Sequence, residues 1–232
     1  MAGELRHEGP VGRVPNAYAL IMLGAPGAGK GTQAREVSQA LHIPAISTGE
    51  MLREAARQKT APGLIARDVM DAGGLVSDGL VCSIVEQRLR EPDSAGGFIL
   101  DGFPRTPGQA QFIDRLIRDG WHVEPVAINI SVDRESIVKR LTGRRVCPVC
   151  GSIYNIYLNP PRLPNHCDLE GTPLMQRADD REDVIRERLL HYDQGAKPLL
   201  DHYRQGGHLI EIDGNRPPGE LTKAILRAIR SV

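Results

Sequence analysis

Cysteine, net charge and long apolar runs are scarce in this chain, and each shortage excludes a class of protein. Four cysteines among 232 residues are too few for a disulfide scaffold. Lys plus Arg and Asp plus Glu both number 29, so the formal net charge is zero and no overall basic field attracts nucleic acid. No apolar run approaches the roughly 18 residues that a membrane span requires. The remaining composition, 41% hydrophobic and 25% charged residues, is typical of a folded globular protein.

The first sixteen residues are polar and rich in turn-forming residues. They carry charges at Glu4, Arg6 and Glu8 and contain no apolar block, so they do not have the pattern of a secretory signal. We expect residues 1–16 to form a flexible extension. Because a reducing compartment keeps thiols unpaired, the few cysteines also favour a cytoplasmic protein.

Short apolar runs alternate with helical patterns along most of the chain. The runs that predict strands are Tyr18–Leu23, Ile43–Ser47, Gly97–Asp101, Val123–Ser131 and His208–Ile212. The segments that predict helices are Lys30–His42, Asp78–Arg90, Gly108–Asp119, Asp133–Leu141, Arg181–Arg204 and Glu220–Ile229. This alternation predicts an α/β fold in which a parallel sheet is covered by helices on both faces.

Two stretches interrupt the alternation and predict two inserted subdomains. Thr48–Val76 is helix-like but contains no strand of its own, and Gly143–Gln176 is rich in turns and carries three of the cysteines. We therefore expect a core built from residues 17–46, 77–139 and 177–232, with one insertion at 47–76 and a second at 140–176.

A glycine-rich loop lies between the first predicted strand and the first predicted helix. Its sequence runs from Gly24 to Thr32 and reads GAPGAGKGT. Glycines let successive N–H groups turn inward around a phosphate, and the following helix N-terminus adds positive potential. Lys30 supplies a point charge for the outer phosphates. The common motif has Ser or Thr directly after the lysine as a Mg²⁺ ligand, whereas here Gly31 intervenes before Thr32, so direct metal ligation by this hydroxyl is in doubt.

Further polar residues follow the predicted strands and face the same crevice. Arg53 comes after Thr48 near a helix start, and Arg105 comes after Asp101 at the end of a strand. Ligands of open parallel sheets bind outside the carboxyl ends of the strands, so both cations can point into this crevice. Asp101 stands where a nucleotide enzyme directs a carboxylate towards Mg²⁺, although a turn-capping role is the alternative.

The second insertion contains a metal-knuckle pattern. Cys147 and Cys150 are spaced as in a zinc knuckle, and Cys167 follows. The segment from Cys167 to Gly171 repeats the spacing of Cys147 to Gly151, with Glu170 where a cysteine would stand. Glu170 is therefore the preferred fourth ligand. His166 is an alternative fourth ligand, because His is a good zinc ligand, but it breaks the repeat. A second alternative is that the segment binds no metal.

Several motifs together resemble the adenylate kinase family. They are GAPGAGKGTQ at Gly24–Gln33, STGEMLR at Ser47–Arg53, LDGFPRTPGQA at Leu100–Ala110, GRRV at Gly143–Val146 and RADDRE at Arg177–Glu182. The resemblance covers residues 18–216 and is to the long-lid bacterial type. It implies the P-loop nucleoside monophosphate kinase fold, reversible phosphoryl transfer from MgATP to AMP giving two ADP, and a role in adenine nucleotide biosynthesis and homeostasis. It also implies Mg²⁺ bound with ATP and supports a structural Zn²⁺ in the lid.

The resemblance assigns nucleotide contacts residue by residue. For ATP it implies Gly27, Ala28, Gly29, Lys30, Gly31, Thr32, Arg140, Arg144, Ile153, Tyr154 and Arg216. For AMP it implies Thr48, Arg53, Val76, Gly102, Arg105, Gln109, Arg177 and Arg188. The catalytic residues it implies are Lys30, Asp101, Arg105, Arg140, Arg144, Arg177 and Arg188.

Three further acidic residues near these motifs have less certain roles. Asp179 and Asp180 could orient Arg177 and its neighbours, or could cap the helix that begins near Arg181. Glu50 stands where the family usually has Asp, which keeps the charge but lengthens the side chain.

Two other functions are weighed against this one. A nucleotide-switched zinc ribbon that binds nucleic acid is disfavoured by the neutral charge and by the lack of an aromatic platform. A kinase for UMP or CMP is disfavoured because such enzymes typically have a shorter lid. We expect a monomer that binds ATP, AMP and ADP but neither nucleic acid nor a membrane.

Overall fold

A five-stranded parallel sheet forms the centre of the computed structural model, which describes residues 17–231. The expected flexible extension at 1–16 lies outside the described residues. The strands are β1 (Tyr18–Leu23), β2 (Ala45–Ser47), β3 (Gly97–Asp101), β4 (Val126–Ser131) and β7 (Leu209–Asp213). Their order is β2-β3-β1-β4-β7, and all four neighbouring pairs are parallel. The predicted α/β class is therefore confirmed.

Eight α-helices of the described chain surround this sheet and build its first insertion. They are α1 (Lys30–Leu41), α2 (Thr48–Arg57), α3 (Ala61–Asp71), α4 (Asp78–Leu89), α5 (Pro107–Trp121), α6 (Arg134–Thr142), α7 (Glu182–Gln205) and α8 (Pro218–Ile229). Between Arg144–Val146 (β5) and Ile153–Asn155 (β6) the chain forms an antiparallel hairpin. In the part of the chain that the structure describes, no helix combines the length and apolarity of a membrane span.

Side chains of β1 pack alternately into two hydrophobic clusters, one on each face of the sheet. Ile21 and Leu23 belong to the cluster that α4, α5 and α7 cover, whereas Leu20 and Met22 belong to the cluster beneath α1 and α8. Since β1 is central and has helices on both sides, it consists almost entirely of apolar residues.

The last predicted strand begins one residue later than expected, at Leu209, and two others begin two or three residues later than their apolar runs suggest. Ile43 instead completes the end of α1, where His42 has φ 55 and the Ile43 N–H donates to the Ser38 carbonyl at 3.3 Å. Val123 similarly follows the left-handed C-cap of α5 at His122. Both residues are apolar because they pack at helix ends, which a period-two pattern does not distinguish from a strand start.

The segments 47–76 and 140–176, which the sequence predicts to be insertions, differ in structure. The first consists of α2 and α3, which pack against each other. The second contains the β5-β6 hairpin and a series of turns, and its own small cluster of buried side chains comprises Cys147, Tyr154 and Cys167. Both insertions leave the core near the carboxyl ends of β1 and β3, and between them lies the cleft described next.

Candidate active site

One cleft of about 1010 Å³ brings the predicted nucleotide contacts together. It runs from the glycine-rich loop to the first insertion and is bordered by the hairpin of the second. The site residues implied by the resemblance all line it: Gly27, Ala28, Gly29, Lys30, Gly31, Thr32, Thr48, Arg53, Val76, Asp101, Gly102, Arg105, Gln109, Arg140, Arg144, Ile153, Tyr154, Arg177, Arg188 and Arg216. Residues that are far apart in the sequence thus share a single solvent-filled space.

The glycine-rich loop forms an open cradle at the start of α1. Gly27 and Gly29 have φ values of +82° and +100°, which side chains rarely adopt. A Cβ on Gly27 would lie 2.8 Å from Leu141. Lys30 folds back over the loop, and its Nζ donates to the carbonyls of Gly24 at 2.7 Å and Ala25 at 2.9 Å. The loop therefore holds the ammonium group at the floor of the cleft.

The position of Lys30 weakens its hold on its proton. Removal from bulk water is the main reason why the pKa of Lys30 is lowered to about 8; the neighbouring Arg105 and Arg188 contribute to the decrease, and Asp101 opposes it. A polyanion bound here would restore the charge, because it adds the opposite charge that the free cleft has in short supply. Lys30 is thus poised to gain its full charge when phosphate binds.

Asp101 lies at the end of β3, directly beside the start of α1. A Cβ on Gly31 would lie 3.1 Å from the Asp101 Oδ2, so the glycine that follows Lys30 leaves room for this carboxylate. A side chain at position 31 would require the Asp101 carboxylate to shift by a few tenths of an ångström, so glycine is favoured there. Thr32 also lines the cleft, one position later than in the common motif.

Asp180 holds two of the cleft arginines. Its carboxylate is fully buried and accepts from Arg144 Nε at 2.7 Å and from Arg144 Nη2 at 2.5 Å, a bidentate pair. Arg188 Nη1 approaches the same carboxylate at 3.4 Å and the Asp179 carboxylate at 3.0 Å. Neither aspartate caps α7, since its N-cap is Arg181 and no side chain bonds there. Their role is to orient arginines, chiefly Arg144 and Arg188.

Glu50 connects the first insertion to Arg177, the residue that directly follows the second insertion. Its carboxylate accepts from Arg53 Nη2 at 2.8 Å and also pairs with Arg177. Partial burial alone would raise the pKa of Glu50, but the hydrogen bond and charge of Arg53 and the charge of Arg177 outweigh it and lower the pKa. The longer side chain at position 50 therefore binds two arginines that the resemblance assigns to AMP.

Arg53 also has an unused donor. Its Nε is buried and has no hydrogen-bond partner, which among the described residues is true of only one other side-chain atom, Asn129 Oδ1. A buried guanidinium N–H without a partner is costly unless a ligand accepts from it. The cleft next to Arg53 thus offers a donor to an anion.

At the back of the first insertion the cleft becomes apolar and ends at a buried amide. Val76 and Leu52 are buried there, and Gln109, at the start of α5, is 3% exposed. Gly102 has φ +83°, and a Cβ on it would lie 3.1 Å from Thr48 Oγ1. The combination of apolar walls and one carboxamide suits a flat heteroaromatic base.

Arg140 joins the glycine-rich loop to the segment before α8. Its guanidinium donates to the carbonyls of Ala28 at 3.2 Å and Gly214 at 2.9 Å. Its own carbonyl accepts from Asn155 Nδ2 at 2.9 Å. Sequence reasoning missed Asn155, whose side-chain oxygen also accepts the N–H groups of Tyr157 and Leu158. An Asn two and three residues before those N–H groups is the local signal for such a turn.

The thiols of Cys147, Cys150 and Cys167 lie within 4.8 Å of one another. Neither the Glu170 carboxylate nor the His166 ring belongs to this group in the described chain. Burial alone would raise the pKa of Cys147, but hydrogen bonds from Thr172 and from the N–H groups of Cys150 and Val149 lower it to about 6. Tyr154 packs on this cluster, and its hydroxyl accepts the Asp168 N–H at 2.9 Å.

The repeat read from the sequence is also present in the backbone. The Gly151 N–H donates to the Cys147 carbonyl at 3.1 Å, and the Gly171 N–H donates to the Cys167 carbonyl at 2.8 Å. Both glycines are left-handed, with φ +71° and +66°. The Cys147 N–H donates to the Ser152 carbonyl at 2.9 Å, and the Cys167 N–H donates to the Thr172 carbonyl at 2.8 Å. Position 170 in the second knuckle is therefore equivalent to position 150 in the first.

Comparisons with known proteins point in one direction. The sequence profile of a family described as adenylate kinase matches residues 22–208. An adenylate kinase from Archaeoglobus fulgidus is 47% identical over 215 residues, covering 91% of this chain and 99% of that protein. Adenylate kinases from Moorella thermoacetica and Caldanaerobacter subterraneus are 46% and 44% identical over 210 residues, each covering 90% of this chain. The alignments thus extend over nearly the whole of each relative.

Proposed function

The chain belongs to the adenylate kinase family, and from that membership we propose that its cleft holds MgATP and AMP together and transfers a phosphoryl group directly between them. It is a phosphotransferase, an adenylate kinase that gives two ADP and so serves adenine nucleotide homeostasis. The single observation that carries the proposed geometry is the convergence of seven cationic side chains on one cleft: Lys30, Arg53, Arg105, Arg140, Arg144, Arg177 and Arg188.

Converging cations are what this reaction needs from a protein. A phosphoryl group moves through a transition state whose charge is spread over its oxygens, so alignment and charge stabilisation supply most of the catalysis. Nothing in the cleft needs to act as a covalent nucleophile. The donor phosphates lie over the loop Gly27–Thr32 with Lys30 at the outer phosphate, and the donor base lies towards Arg140, Ile153, Tyr154 and Arg216.

The acceptor lies on the opposite side of the moving group. Arg53 and Arg105 bind the AMP phosphate, supported by the unpartnered Nε of Arg53. The base lies against Val76 and meets Gln109, with Thr48 and Gly102 forming the adjacent wall. Arg144, Arg177 and Arg188 border the space between the two nucleotides and neutralise charge that develops there.

Mg²⁺ accompanies the donor nucleotide as part of the substrate. When bound, it would supply positive charge that neutralises the phosphates. Asp101 is the carboxylate suited to bind this ion through water, because it lines the cleft at the end of β3 beside the start of α1. Thr32 is at most an auxiliary partner, since it stands one position beyond the usual hydroxyl.

We propose that the second insertion is a lid whose fold is stabilised by a Zn²⁺ ion. The proposed ligands of this ion are Cys147, Cys150, Cys167 and Glu170. The donor set of three thiolates and a carboxylate suits zinc, and the lowered pKa of Cys147 favours its thiolate. The backbone equivalence of the two knuckles supports Glu170 as the fourth ligand, because position 170 of the second knuckle corresponds to Cys150 of the first. Four protein ligands would leave no open position, so the metal is structural.

The protein is further proposed to act as a cytoplasmic monomer. All four cysteines are free, which suits a reducing compartment. The cations of the cleft are gathered in a concave site rather than spread over a convex basic surface, which supports a nucleotide rather than a nucleic acid as the partner.

An acceptor panel tests the proposed function. ADP formation from MgATP is measured with AMP, GMP, CMP and UMP, and we expect AMP to be strongly preferred because the base wall ends in an ordered carboxamide. Equal rates with all four would contradict the assignment, and a preference for UMP or CMP would make the chain a UMP or CMP kinase instead.

The alternative of a zinc ribbon that binds nucleic acid is tested by filter binding of single-stranded nucleic acid at two salt concentrations. That alternative requires retention that decreases as the salt concentration rises.

A further inference from the structure

Asp78, the first residue of α4, is bound to the segment that begins α5 through both of its carboxylate oxygens. Oδ1 accepts from the Gln109 amide nitrogen at 2.7 Å, and Oδ2 accepts from the Thr106 hydroxyl at 2.8 Å. The Thr106 oxygen in turn accepts the Gln109 N–H at 3.2 Å as the N-cap of α5. Asp78 thereby ties the exit of the first insertion to the residue proposed to read the acceptor base.

The other end of the Gln109 amide is fixed as well. Its Oε1 accepts the backbone N–H of Arg105 at 2.7 Å. Turning the amide over would set its oxygen against the Asp78 carboxylate and its NH₂ group against the Arg105 N–H. Both new contacts would be repulsive, so the two partners permit only one orientation of a side chain that is 3% exposed.

Hydrogen-bond capacity shows what this orientation leaves for a ligand. A carboxamide has two N–H donors and two acceptor lone pairs. In Gln109, one N–H donates to Asp78 and one lone pair of Oε1 accepts from the Arg105 N–H. One donor on Nε2 and one acceptor on Oε1 remain for a ligand, and their positions are fixed. A 6-aminopurine presents a donor at its amino group next to an acceptor at N1. A 6-oxopurine presents the reverse order and would need the amide to turn over.

We propose that Asp78 is a positioning residue that holds the Gln109 amide in one orientation and so makes the acceptor site select 6-aminopurine over 6-oxopurine monophosphates. The proposal rests on the proposed function, since it concerns the acceptor of that reaction. Asp78 touches no substrate in this account. It acts through Gln109, and its contribution is therefore to recognition of the base rather than to the transfer step.

The test compares AMP with inosine 5′-monophosphate in the wild-type protein and in Asp78→Asn. The amide of the variant can donate to Gln109 Oε1 as readily as it accepts from Nε2, so only the Arg105 N–H still favours one orientation of the Gln109 amide. We expect the AMP-to-IMP ratio of kcat/KM to fall about tenfold, mainly through a higher KM for AMP with kcat little changed. An unchanged ratio, or an equal loss of kcat with both acceptors, would overturn the proposal.

Thr106→Val is the matched contrast. It removes the other partner of Asp78 and the cap of α5 but leaves the Asp78 to Gln109 hydrogen bond, so it lowers the melting temperature and keeps the AMP-to-IMP ratio. An equal loss of selectivity in Thr106→Val would reduce Asp78 to a structural residue and overturn the proposal. Asp78→Glu, which retains a carboxylate, is expected to restore selectivity in part.

Two further measurements separate this inference from the proposed function. Dissociation constants of AMP and IMP measured without a donor give the same ratio independently of turnover, so a wild-type protein that failed to transfer phosphoryl groups would overturn the proposed function alone. Should Asp78→Asn melt below the assay temperature, Asp78→Ser is measured in its place, with the same loss of selectivity expected and an unchanged ratio again contradicting the proposal.

Discussion

Lys30 combines a deep position with a charge that the reaction needs. Its ammonium is held by two loop carbonyls, and removal from bulk water lowers its pKa to about 8. In the unfolded chain the group keeps its proton up to about pH 10.4. Between these two pH values the unfolded state binds more protons, so Lys30 costs stability below pH 8 and the cost is relieved as the pH rises. The cost is borne at the position where donor phosphate would bind.

The first prediction concerns the proton that Lys30 takes up when ATP binds. Bound phosphate raises the pKa of Lys30, so at about pH 8.5 binding is accompanied by uptake of a fraction of a proton, and affinity falls as the pH rises through about 8. Calorimetry in two buffers of different ionisation enthalpy measures the uptake. Lys30→Arg is the matched control, because its guanidinium stays charged. Equal uptake in the control would show that another group is responsible.

The second prediction compares two bidentate pairs that differ in burial. Asp180 and Asp93 each bind an arginine through both oxygens, but their side chains are 0% and 51% exposed. Asp180→Asn leaves Arg144 without its charged partner and is expected to cost about 3–5 kcal/mol of unfolding free energy. Asp93→Asn is expected to cost about 1 kcal/mol or less. Denaturant unfolding of both variants is the measurement, and equal losses would contradict the account.

Sequence alone predicts the residues of this site better than their pairings. The glycine-rich loop and the arginines are recognisable because their types and spacings reflect phosphate chemistry. Asp78 was not recognisable, because its partners lie 28 and 31 residues away and a Ser-Asp pair at a helix start has a sufficient local explanation. The role of Asp179 and Asp180 is ambiguous in the sequence for the same reason, because both precede a helix that they could cap. In the structure the N-cap of α7 is Arg181.

At the scale of elements, the second insertion is organised by its two knuckles rather than by regular structure. The β5-β6 hairpin has only three residues in each strand, and the buried cluster of this insertion is small. Such a unit has too little core to order itself, and zinc binding can contribute on the order of 10 kcal/mol to folding of this kind. Since the sheet has its own two clusters, loss of the metal would be felt mainly in the insertion.

The third prediction follows from the equivalence of positions 150 and 170. Elemental analysis of purified protein is expected to find one zinc per chain, and Cys150→Ser and Glu170→Ala are expected to lose it more readily to a chelator. His166→Ala is the control, because the His166 ring is bonded to the Pro164 carbonyl at 2.9 Å and lies outside the thiol cluster. If His166→Ala empties the site and Glu170→Ala does not, the repeat has been misinterpreted.

Element boundaries show where sequence patterns stop being informative. The bounds of β1 and β3 agree with their apolar runs, because both strands are buried on two faces and end at a glycine or an acidic residue. The start of β4 does not agree, because Val123 packs at the end of a helix and Pro125 precedes the strand. Hydrophobicity reports burial, and burial is shared by strand starts and helix caps.

For the whole molecule, the arrangement of core and insertions decides between transfer and hydrolysis. Both insertions border the same cleft, and Glu50 of the first insertion pairs with Arg177, the residue that directly follows the second. A phosphoryl group exposed to water would be hydrolysed, so the insertions need to enclose the nucleotides before transfer. The cleft is large enough, at about 1010 Å³, to hold two nucleotides, which makes direct transfer the expected outcome.

The reaction of ADP with itself tests this account most directly. Phosphorus NMR follows purified protein supplied with Mg²⁺ and ADP alone, with Lys30→Met as the inactive reference. The account predicts that ATP and AMP appear in equal amounts with no inorganic phosphate, and that Lys30→Met slows their formation by about 10³-fold or more. Release of inorganic phosphate from ADP or ATP, or formation of AMP without ATP, would contradict it.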